Sequence, residues 1–226
     1  MTYAELKEKL LAYSEPEFAD FQRRLIPTKQ KILGVRTPVM RQIAKAYDGE
    51  IDELFSYPDD YYEITFIKLT VLSLQPYSVF LRYVDKAVSL MDNWSTCDCF
   101  RPKCLRKNKN EFLDKLKEIF LQGGEFSERY VFVCLLVYYA EEKYFSIIKD
   151  YMQRAHTQKY YVSTAVAWLL AELLIKAYPL GVELLESGML DTKTHDRAIQ
   201  KARESFRLSK ERKEYLKRLK INKKGT

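Results

Sequence analysis

Histidine, cysteine, glycine and proline are all scarce in this chain of 226 residues. The two histidines, His156 and His195, lie far apart in polar stretches, which argues against a histidine-built metal site or a Ser-His-Asp triad. Seven glycines and seven prolines are too few for collagen-like, low-complexity or turn-rich all-β architectures. No uncharged apolar run reaches the ~18 residues that a bilayer span needs. The first residues show no apolar h-region and no small-residue cleavage site, so a cytoplasmic protein is expected. Four cysteines cannot staple a chain of this size and are expected as reduced thiols. P-loop, GxGxxG, HExxH and paired CxxC motifs are all missing. Cys97-x-Cys99-x4-Cys104 lacks a standard metal spacing and a fourth ligand, and an Asp98 neighbour would raise a thiol pKa rather than lower it. Neither a metal nor a cofactor is expected.

The chain is 47% hydrophobic and 31% charged, which excludes a disordered polymer. Its net charge of +7 is unevenly placed. Residues 201–226 hold eleven bases against three acids, a net of +8, and the rest of the chain is close to neutral. A second basic cluster, Arg101, Lys103, Arg106, Lys107 and Lys109, meets no acid until Glu111. Both patches suit a polyanionic partner.

Apolar residues recur with helical period along the chain. The spacing predicts helices over 3–13, 37–47, 63–74, 79–91, 110–120, 127–139, 144–154, 160–177, 180–185, 194–207 and 210–220. Thr37 and Ser127 are the expected caps of two of them, and Asn93 of a further short helix from Trp94. Pairs of helices recur roughly every 35 to 45 residues, near the period of HEAT-type repeats. The expected fold is all-α, with one domain over residues 1–220 and a flexible basic tail over 221–226. Periodicity alone leaves an α-solenoid and an ordinary helical globule both open.

Three places could carry chemistry. Trp94 and Asp98 stand at i and i+4, so a helix puts them on one face just before Arg101 and Lys103. An aromatic and a carboxylate beside a basic run could grip a polyanion while holding a negative charge near a cationic centre. Tyr161, Thr164 and Trp168 share another face, where aromatics can pack on deoxyribose or stack on bases. Arg129 is a lone base at the start of an apolar helix and could meet phosphate. Core packing and surface ion pairs are the competing readings of all three.

Taken in order, Leu33-Gly34-Val35-Arg36-Thr37-Pro38 with the helix to Lys45, Asp92-Asn93-Trp94 to Asp98, Ser127-Glu128-Arg129, Tyr160-Tyr161-Val162 through Ala167-Trp168, and Ala198-Ile199-Gln200-Lys201 resemble the bacterial AlkD-like DNA alkylation repair family. The resemblance runs over about Tyr3 to Lys220. It implies a right-handed α-α superhelix of HEAT-like repeats, with a basic concave cleft for duplex DNA. It implies a monomer, associated with the nucleoid, that excises cationic N3- and N7-alkylated purines by hydrolysing the N-glycosidic bond. Asp98 matches the acid beside the lesion's deoxyribose, and Trp94 and Trp168 match aromatics that pack on the backbone around it. Arg129 matches a phosphate contact, and Tyr160 and Tyr161 an aromatic pair upstream of the second Trp. Arg101, Lys103 and Lys201 are the expected further DNA contacts. The family's active members usually carry basic residues where this sequence has Ser163-Thr164. The resemblance therefore also admits a weak or inactive DNA-binding, or protein-interaction, solenoid.

Overall fold

The computed structural model describes residues 1–222, so most of the expected tail, from residue 223, lies outside the described residues. Among the described residues there are fourteen α-helices, two short 3-10 turns and no strand; one isolated parallel bridge joins Lys31 and Tyr61. The fold is all-α, as the periodicity predicts. The chain forms two compact units, Met1–Ile119 and a second from Phe120 onward.

The first unit contains α1 (Tyr3–Ala12), α2 (Pro16–Leu25), α3 (Thr37–Lys45), α4 (Ile51–Ser56), α5 (Tyr62–Ser73), α6 (Tyr77–Ser89) and α7 (Trp94–Cys99). The unit boundary falls within α8 (Leu113–Gln122). The second unit contains α9 (Glu125–Tyr138), α10 (Phe145–Gln153), α11 (Tyr160–Lys176), α12 (Tyr178–Glu186), α13 (Thr192–Glu204) and α14 (Lys210–Arg218).

Each unit is built around one largely buried helix, against which the others pack. In the first unit this is α5, of which only Thr70 is not fully buried, and it packs against α3, α4, α6 and α7. In the second it is α11, which packs against α9, α12 and α13. Alternate helices thus lie side by side, α3–α5–α7 in one unit and α9–α11–α13 in the other. This packing of repeated helix pairs is that of an α-solenoid.

The segment between α2 and α3 has no regular structure, so its amides need other partners. Glu63 of α5 supplies them. Its fully buried carboxylate accepts the amides of Leu33 (3.0 Å), Gly34 (2.9 Å) and Val35 (3.4 Å). Gly34 is required here on two counts: its φ is +85°, and a Cβ would lie 2.3 Å from the Glu15 carbonyl oxygen. Lys68, one turn further along α5, is also fully buried and is held by Asp59 at 2.7 Å and by the Tyr57 carbonyl.

Three local expectations change. The cap of α3 is Arg36, with Thr37 and Pro38 inside the first turn, and Arg36 is anchored by a bidentate pair with Glu15. α9 starts two residues before Ser127, at Glu125, whose carboxylate holds the Tyr161 amide at 2.8 Å. The Ser127 hydroxyl turns back to the Gly124 carbonyl instead of capping. α2 and α4 are additional: α2 buries only Ala19 and Gln22, and α4 has six residues. Ile221 and Asn222 are tied by their amides to the Asp196 carboxylate, at 2.9 Å each.

Candidate functional site

In the first unit the expected Trp94–Asp98 pair lies on α7. Asn93 caps this helix as expected, its side chain accepting the Thr96 amide at 3.0 Å. Asp92 fixes the preceding loop by accepting the Thr28 hydroxyl (2.7 Å) and the Lys29 amide (3.0 Å). The Trp94 indole N–H donates to the Leu25 carbonyl at 2.8 Å, which fixes the ring while it remains half-exposed. Asp98, also half-exposed, stands one turn later. Arg101 is folded back by a bond from its Nε to the Asp98 carbonyl, at 2.9 Å. Lys103, Arg106 and Lys107 follow on and after a 3-10 turn; all three are exposed and none forms an ion pair among the described residues. A pinned indole, a carboxylate and uncompensated cations are thus grouped on one short stretch.

In the second unit Arg129 is 6% exposed, and its guanidinium donates to the Tyr161 carbonyl and the Thr164 hydroxyl, at 2.8 Å each. It fastens α9 to the first turns of α11. Glu128 is buried beside it and accepts the His156 amide at 2.7 Å, with Lys159 at 3.7 Å. The Tyr160 and Tyr161 rings meet edge-on at 5.1 Å, and Tyr160 is 61% exposed. Trp168, two turns on, is half-exposed, with the Lys201 ammonium 5.8 Å from its ring centroid. Lys201 and Trp168 line a groove of about 250 Å³ with Glu172 and Arg207, which are themselves paired at 2.7 Å.

Helix packing adds residues that the sequence reading did not single out. Arg41 of α3 lies against the Cys99 thiol, next to Asp98. Lys29 is drawn up to the start of α7 by Asp92. Arg197 of α13 donates to the Ser163 hydroxyl at 2.7 Å and lies 5.2 Å from the Tyr160 ring centroid. Lys193, Arg197 and Lys201 recur at i, i+4 and i+8, so one face of α13 carries a cationic row beside the aromatics of α11. The i, i+4 spacing was available as a signal, but nothing local says which helix that face meets. The neutral pair Ser163-Thr164 is therefore served by two arginines from neighbouring helices.

The thiols are quiet groups. Burial pushes Cys134 up to about 12. Burial also raises Cys99, with Asp98 adding to the rise and Arg41 opposing it. In the native protein a thiol reagent is expected to modify Cys99 and Cys104 slowly, and the buried Cys97 and Cys134 only after denaturation. Mass mapping of the modified sites checks this; rapid native labelling of Cys134 would contradict it.

Among the described residues no group of three or more His, Cys, Asp or Glu side chains is arranged to hold a metal ion, and no helix is long and apolar enough to cross a membrane. No curated protein matches the chain. The sequence profile of the DNA alkylation repair enzymes matches residues 6–215, a span that includes α7, α9, α11 and α13. By that match over nearly the whole chain, the protein belongs to the family of DNA alkylation repair enzymes.

Proposed function

We propose that this protein is a monomeric DNA glycosylase that binds duplex DNA in a concave basic cleft and excises cationic N3- and N7-alkylated purines. The observation that carries the reading is the Trp94–Asp98 pair: a half-exposed indole held by the Leu25 carbonyl, one turn from a carboxylate, beside Lys103, Arg106 and Lys107, which form no ion pair among the described residues. Family membership supports the substrate class.

The chemistry asks little of the protein. Alkylation makes the purine cationic, so the electron pair of the breaking N-glycosidic bond leaves with the base and neutralises it. The positive charge then resides on the sugar. A carboxylate at Asp98 stabilises that oxocarbenium-like state and orients a water whose oxygen bonds to C1′ as its proton passes to the Asp98 carboxylate and on to solvent. Trp94 and Trp168 pack on the backbone around the lesion. The cations of α13 and of the stretch after α7 hold phosphates. Release of 3-methyladenine and 7-methylguanine from alkylated duplex is the direct test; tight duplex binding with no release removes the enzymatic claim.

A second reading, a non-catalytic DNA-binding member, draws on Arg129. The guanidinium expected at a phosphate is 6% exposed and hydrogen-bonded to α11. Both readings require phosphate contacts, and salt dependence measures them. Each contact contributes about 0.9 to the slope of log affinity against log salt. Lys193→Ala and Lys201→Ala are each expected to lower the slope by about one, and the double variant by about two. Unchanged slopes would remove the α13 row from the interface.

A further inference from the structure

The second unit contains a pocket of about 710 Å³ at the starts of α11 and α13, which the excision chemistry does not use. Its size lies within the range of about 300–1,000 Å³ typical of small-molecule sites. We infer that this pocket holds one unpaired nucleotide of a bound DNA strand, the base on the Tyr160 ring and the phosphate on Lys193 and Arg197. The inference rests on the DNA-binding reading above.

Three observations carry it. First, Tyr160 presents an aromatic platform: it lines the pocket, is 61% exposed, and is braced by the Tyr161 ring edge-on at 5.1 Å. Second, Arg197 is pre-oriented. Ser163, 4% exposed, takes one of its N–H donors at 2.7 Å and is itself bonded to Thr194 at 2.7 Å, and the guanidinium lies 5.2 Å from the Tyr160 ring centroid. The remaining donors of that fork stay available for phosphate. Third, the pocket's net charge is cationic where a ligand would enter. Lys193 is exposed and unpaired among the described residues. The one lining acid, Asp191, is engaged in capping α13, accepting the amides of Lys193 and Thr194 and the Thr194 hydroxyl. The side-chain amide of Gln158 adds a group able to pair with a base edge.

An open aromatic face beside fixed cations is the recognition chemistry of unpaired nucleotides. A base inside a duplex has both faces stacked and cannot use Tyr160, so the pocket selects for a nucleotide outside the stack.

The test compares three ligands: a fully paired duplex, the same duplex with a single-nucleotide bulge, and free deoxyadenosine monophosphate. Wild type is expected to bind the bulged duplex about tenfold more tightly than the paired one, the scale of one base stacked on an aromatic ring. Because bulges also make DNA easier to bend, the decisive arm is the ratio of the two affinities in variants. Tyr160→Ala is expected to bring the ratio close to one, and Tyr160→Phe to keep it. Equal affinities in wild type, or a preference that Tyr160→Ala leaves intact, would overturn the inference while leaving the proposed function standing. If neither duplex binds, the DNA-binding reading fails and this inference with it. Binding of the free nucleotide through Tyr160 under those conditions would reassign the pocket to free nucleotides.

Discussion

Asp98→Asn is expected to slow release of alkylated purines by roughly 10²–10³-fold, the scale on which one preorganised electrostatic group contributes to a transition state. Asparagine keeps the shape and loses the charge that faces the developing sugar cation. The same change removes a negative charge from a surface that meets phosphates, so affinity for intact duplex should be unchanged or tighter. Release falls while binding does not, which separates loss of catalysis from loss of folding. Single-turnover release from alkylated duplex, alongside a binding isotherm at fixed salt, makes the comparison. A variant that releases base at the wild-type rate would take Asp98 out of the chemistry.

The second large effect is on stability. Glu63→Ala is expected to cost about 3–5 kcal/mol, because it leaves buried amides without an acceptor and opens a cavity in α5. Glu63→Gln should recover part of that loss, since Oε1 accepts the amides of Leu33, Gly34 and Val35 and only the second Leu33 contact, to Oε2, is given up. The pH dependence has a definite sign. Burial raises the Glu63 pKa above the ordinary carboxylate value of 4.5, although the backbone amides pull it down. A group whose folded pKa is raised contributes stability that is fully present below the unfolded value and lost as pH rises through the folded value. Wild type should therefore lose stability relative to Glu63→Gln from the region of pH 4.5 upward. Urea midpoints of the two proteins across that range check it; a gap that widens in favour of wild type would reverse the assignment.

The consequence of losing Glu63 would reach beyond its own helix. The Leu33–Val35 segment it holds leads into α3, which carries Arg41 to the Cys99 thiol beside Asp98. A buried acid thus holds the segment that leads into the helix carrying Arg41.

Most of the helices were legible from period alone, because a helix with one buried face repeats its apolar residues every three to four positions. α7 was also legible, since Asn93 and the i, i+4 pair are local signals, and both are where the spacing puts them. α2 buries only an alanine and a glutamine, while its larger apolar residues, Phe21 and Leu25, stay exposed, so its period does not mark a core face. Arg129 illustrates the opposite limit. Its sequence position marks a lone base on an apolar helix, and its partners, the Tyr161 carbonyl and the Thr164 hydroxyl, lie more than thirty residues away. The neutral Ser163-Thr164 pair looks in sequence like a loss of positive charge. In the fold it receives Arg129 and Arg197 from the two flanking helices.

By itself, the sequence determined what short-range physics controls: an all-helical chain, the Trp94–Asp98 face, two basic patches and the family to which the chain belongs. Only the tertiary structure decided which side chains from separate helices meet. It placed Lys193, Arg197 and Lys201 of α13 beside the aromatics of α11, formed the open pocket at Tyr160, and buried Arg129. The reason is that helical period says which face of a helix is buried, whereas the partner of that face is chosen by packing between segments far apart in the chain.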